Sequence, residues 1–70
     1  MAKKEKVERQ IEWLDRISKS ARKFKDYRTV GYCRALVELL ESGGKLCDAH
    51  TERVKVLLEH YRRDIEENAS

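Results

Sequence analysis

The residues best equipped for chemistry are Cys33, Cys47, His50 and His60. Two thiols and two imidazoles are the ligand set of many structural zinc sites. Two of these residues stand in the stretch LLESGGKLCDAH, where potential ligands and a glycine pair lie side by side. Spacing argues against a shared metal. His50 and His60 fall on one helix of the reading given below. At a rise of about 1.5 Å per residue they lie about 15 Å apart, whereas ligands of one zinc sit within about 4 Å of each other. Cys33 is about as far from the turn that holds Cys47, which also excludes a disulfide between the two. No metal or cofactor is expected.

Cys47 and His50, three apart at a helix start, are placed to make a reactive thiol, because a helix N-terminus lowers a cysteine pKa. The phase of the apolar positions favours a plainer role. It puts Cys47 in the interior as a small apolar residue beside the turn, with His50 in the first turn or at the edge of the core. The glycine pair does not make a phosphate loop, since ESGGKL lacks two glycines four residues apart and a Ser or Thr after the lysine. Asp64, Glu66 and Glu67 read as solvated carboxylates of a last helical turn, partly offset by Arg62 and Arg63. No nucleophile, base and orienting group share a spacing that chemistry needs, so the chain reads as non-enzymatic with no catalytic residues.

The elements that carry these residues are helical. Charged residues are 41% of the chain, apolar ones 40%, and proline is absent, a composition that suits long amphipathic helices. Val7, Ile11, Leu14, Ile17, Ala21 and Phe24 recur at steps of three and four and predict a first helix over about 4–25, with Trp13 on the margin of its apolar stripe. Arg9, Arg16, Lys19 and Lys23 project to the opposite side. Asp26 and Thr29 are candidate caps for a second helix ending near 42. Val30, Tyr32, Cys33, Leu36, Val37, Leu39 and Leu40 cover half of it, which suggests the central helix or a dimer interface. Gly43 and Gly44 stop that helix, and Asp48 caps a third over about 48–68, with Leu46 stapled against its first turn. Val54, Leu57, Leu58, Tyr61 and Ile65 form its stripe, and Val56 points away.

The fold expected is all-α, a single domain over 1–70 built as a small three-helix antiparallel bundle that dimerises. The alternative is a long-helix hairpin in which helices 1 and 2 are continuous, since no proline enforces the break. Apolar runs of at most three residues leave neither a membrane span nor the hydrophobic region of a signal peptide, and two thiols suit a reducing, cytoplasmic setting.

Function is then a matter of surfaces. Residues 1–35 carry eleven Lys/Arg against five Asp/Glu, a net of +6, while residues 36–70 carry a net of −3. The imbalance points to an anionic partner for the first half or to pairing between the halves. The preferred reading is a protein-interaction module, an adaptor, regulator or inhibitor, that uses helix 1 and helix 2 surfaces on another protein, an acidic one included. Trp13, Tyr27 and Tyr32 are its candidate anchors, and Arg16, Lys19 and Lys23 its electrostatic rim. The alternative is nucleic-acid binding along the phosphate backbone by Arg9, Arg16, Lys19, Arg22, Lys23, Lys25 and Arg28, with Lys3, Lys4 and Lys6 nearby. Glu8, Glu12 and Asp15 interleave with that face and weaken it. A helix-turn-helix built on the glycine turn is disfavoured, because Asp48 and Glu52 would open its recognition helix.

Overall fold

The computed structural model describes residues 2–69, with the side chains of residues 6–67. Those of Lys3 and Lys4 lie outside the described set. Three helices follow one another, α1 (Ala2–Lys23), α2 (Tyr27–Glu41) and α3 (Asp48–Ala69), and among the described residues there is no strand.

Both connections are helix stops of the same design. After α2, Gly43 takes a left-handed φ of 92°, its N–H donates to the Leu40 carbonyl, and the Gly44 N–H reaches back to the Leu39 carbonyl. That is a Schellman motif, in which two orphan carbonyls of the last turn find donors. Gly44 has no such φ, and its constraint is one of space: a Cβ there would run into the Leu39 side chain and come within 3.0 Å of its carbonyl oxygen. After α1 the same bonds recur, Lys25 N–H to the Arg22 carbonyl and Asp26 N–H to the Ala21 carbonyl, but the left-handed residue is Lys25, at φ 60°. The chain is therefore broken between α1 and α2, and the continuous-helix alternative is set aside.

Asp26 caps α2 as its type predicts, its carboxylate accepting from the Thr29 N–H and hydroxyl. Asp48 does not cap α3. The Cys47 carbonyl takes the first helical hydrogen bond, from the Thr51 N–H, and Asp48 is the first helical residue, its charge at the positive end of the helix dipole. Cys47 is therefore exposed rather than buried, because a residue at the cap position points out of the turn instead of into the stripe. Phe24 also leaves the stripe it was assigned to. α1 ends one residue before it, and its ring is 60% exposed.

The core is one cluster: Leu14, Ile17 and Ala21 of α1, Val30, Cys33, Leu36 and Leu40 of α2, Leu57, Tyr61 and Ile65 of α3. Leu14 and Ile17 are fully buried, each worth about 1.5–3 kcal/mol relative to exposure. The hub is α1, and the expectation that α2 would be central is corrected. α1 packs on both partners, whereas no Cα of α2 comes within 8 Å of one in α3. Leu14 of α1 lines the grooves against both other helices.

Candidate functional site

Trp13 lies on α1 where that helix meets α3, 41% exposed. On one side it borders a shallow recess of about 240 Å³ with Leu58 and Ile65 on its floor and Arg16, Glu59, Arg62 and Glu66 at its rim. On the other side a smaller recess, about 140 Å³, continues past Leu14, Leu46 and Val54. Trp13 and Leu58 line both. The result is an apolar groove along the α1 and α3 seam with an indole standing in its middle. Val54 and Ile65 are eleven helical steps apart, so the groove's length along α3 is about 16 Å.

The cations at this groove are already engaged. Arg16 lies 5.0 Å from the Trp13 ring centroid and pairs with Glu12, one turn back. Arg62 is held between Glu59 at 3.5 Å and Glu66 at 3.0 Å. Such exposed helix pairs add a few tenths of a kcal/mol each, and their larger effect is to fix where each charge stands.

The remaining sequence-named residues scatter. Lys19 is exposed and faces Asp15 at 3.5 Å. Tyr27 opens α2 and is 64% exposed, away from Trp13, and Tyr32 is half-buried with its ring 6.3 Å from that of His50. Arg9, Arg22, Lys25 and Arg28 are exposed. A second groove, between α1 and α2, runs over Leu14, Ser18, Cys33 and Val37, but Asp15, Arg34, Glu38 and Glu41 make it the more polar of the two.

Lys23, its side chain 58% exposed, ties α1 to α3. Its ammonium donates to Asp64 at 2.8 Å, and the Ser20 hydroxyl donates to the other Asp64 oxygen at 2.7 Å. Asp64 is only 9% exposed, so its assignment to a solvated last turn was wrong. Two donors hold it inside: the Lys23 hydrogen bond and then that of Ser20 lower its carboxyl below the usual 3.8, and Lys23 is raised in return. A second carboxylate, Asp26, accepts from Thr29 and from the Tyr61 hydroxyl at 2.7 Å. It too is lowered, by Thr29 first and Tyr61 second, while burial and then that bond push Tyr61 up to about 12. Nothing in the spacing of Ser20, Asp26, Tyr61 and Asp64 reveals these links. The one readable signal is that Ser20 stands beside the apolar stripe of α1.

Among the described residues no group of three or more His, Cys, Asp or Glu side chains is arranged to hold a metal ion, and no helix is long and apolar enough to cross a membrane. Cys33 is 1% exposed, and burial pushes its thiol up to about 11. Comparison of the chain with family models, curated proteins and solved structures finds no match.

Proposed function

We propose that the protein is a small non-enzymatic interaction module, an adaptor, regulator or inhibitor, that docks another protein in the Trp13 groove. The supporting observation is a large aromatic left 41% exposed between two apolar recesses, with charges fixed along the rim. A Trp flanked by Arg is the residue chemistry on which interface energy concentrates. Because the rim guanidiniums already have carboxylate partners, they set register and orientation rather than net attraction. The occupant this suits is an amphipathic helix laid along the seam with its apolar face down. The preferred surface is thus α1 with α3, where the sequence pointed to α1 with α2.

The nucleic-acid alternative along the back of α1 has less support, since Arg16, Lys19 and Lys23 are paired with Glu12, Asp15 and Asp64. We read the chain as an up-down-up bundle. The grooves pair Val7 with Leu40 and Leu14 with Cys33 in descending order, but Trp13 with Leu58 and Arg16 with Arg62 in ascending order. Cytoplasmic placement and a homodimer complete the proposal, the latter because a 70-residue core gains from self-association.

The test is affinity capture with the tagged chain and with Trp13→Ala, then titration of the captured protein against both. The expected loss is about 2 kcal/mol, roughly 30-fold in Kd, with the melting curve little changed. A partner held equally by both chains rejects the groove, and light scattering at the mass of one chain rejects the dimer.

A further inference from the structure

The corner between α1 and α2, Arg22 to Arg28, carries a charge arrangement that the groove does not use. Its own carboxylate and the nearest one of α3 are engaged: Asp26 accepts from Thr29 and Tyr61, and Asp64 is 9% exposed under Ser20 and Lys23, while Glu67, which is exposed, adds its field to Lys23. Its cations lie outward. Arg22, Lys25 and Arg28 are exposed, and no hydrogen bond or salt bridge occupies them among the described residues. Three cations with no carboxylate partner among the described residues thus face solvent within seven residues of chain.

Lys25 sharpens the point. The left-handed position of a Schellman stop takes glycine without penalty, as Gly43 does at the other turn, whereas an L side chain there costs roughly 1–2 kcal/mol. Among the described residues no hydrogen bond or salt bridge of the lysine side chain offsets that cost. A strained residue with a free cation at its tip has the character of a functional position. Beside it stand two large rings turned outward: Phe24, 60% exposed and backed by Tyr61 at 6.0 Å between centroids, and Tyr27, 64% exposed.

We propose that this corner binds single-stranded nucleic acid, with Arg22, Lys25 and Arg28 on the phosphates and Phe24 and Tyr27 beneath unpaired bases. Cations alone would accept any polyanion, but exposed flat rings among them select a ligand with aromatic faces, and a duplex hides those faces in its stack. The site is independent of the Trp13 groove, so either stands if the other fails.

The full chain is titrated against a fluorescein-labelled 12-nucleotide oligo-dT, followed by anisotropy at roughly 50 mM salt. Three phosphate contacts predict a slope of about −2 in log K against log salt. Lys25→Gly is expected to melt higher than the parent and yet bind several-fold more weakly. Tyr27→Ser is expected to fold normally and lose about fivefold or more. Absence of binding, equal binding of the blunt duplex, equal displacement by poly-glutamate of matched charge, or a Lys25→Gly chain that binds like the parent or melts lower would each overturn the proposal. Equal displacement by poly-glutamate would reassign the corner to acidic protein segments.

Discussion

Cys33 and Cys47 are the same chemical group in two surroundings. Cys33 stands in the core between Leu14 and Val37 with its thiol raised to about 11, so at neutral pH neither access nor thiolate is there for a reagent. Cys47 sits exposed before α3. An aromatic disulfide reagent should therefore titrate one thiol per folded chain and two in guanidinium chloride. Two fast thiols in the native protein would mean that the core opens. This difference was not legible in the sequence, because a one-residue shift in where α3 begins decides whether Cys47 faces the core or the solvent. Asp64 was hidden for a related reason: its donors, Ser20 and Lys23, are more than forty residues away.

At the scale of the elements, the residues that start and stop helices were the readable ones. Asp26, Gly43 and Gly44 act through their own backbone neighbourhood, so their roles follow from type and position. The break after α1 was harder to read, because a lysine occupies the place of a glycine. The glycine inside α2 gives the opposite test. Gly31 is exposed in mid-helix, and a Cβ there would meet nothing within 4 Å. Gly31→Ala should raise stability by about 0.5–1 kcal/mol, or about 2–8 °C in Tm, by relieving backbone entropy. A fall in Tm by calorimetry would mean that Gly31 meets something outside the chain as described. Trp13 was legible as an anchor and Arg16 as a rim charge, but their groove was not, since its other wall comes from α3.

For the molecule as a whole, the polar links between helices set the pH range of the fold. Asp26 and Asp64 are lowered from 3.8, so they add stability above that value that is lost as the pH falls through their lowered values. Cys33 and Tyr61 are raised, from 9.0 to about 11 and from 10.0 to about 12, so the folded state holds those protons more tightly and their stability drains away between pH 9 and 12. Lys23, raised from 10.5, acts in the same direction. Tm measured by circular dichroism should form a plateau between about pH 5 and 9 and fall on both sides. Ser20→Ala, by freeing one side of Asp64, should move the acid limb toward higher pH, and an unmoved limb would show that the link carries no stability.

The unequal packing of the helices also bears on how the chain tolerates change over many generations. α2 and α3 meet through side chains such as Tyr61 on Asp26 and Tyr32 against His50, and each rests its backbone on α1. A substitution on the inner face of α2 or α3 disturbs the seam with α1 and, at Tyr61 or Tyr32, a side-chain link besides. One at Leu14, which lines the grooves on both sides of α1, disturbs two seams at once. The most charged helix, not the most apolar one, is therefore where a single inward substitution reaches furthest.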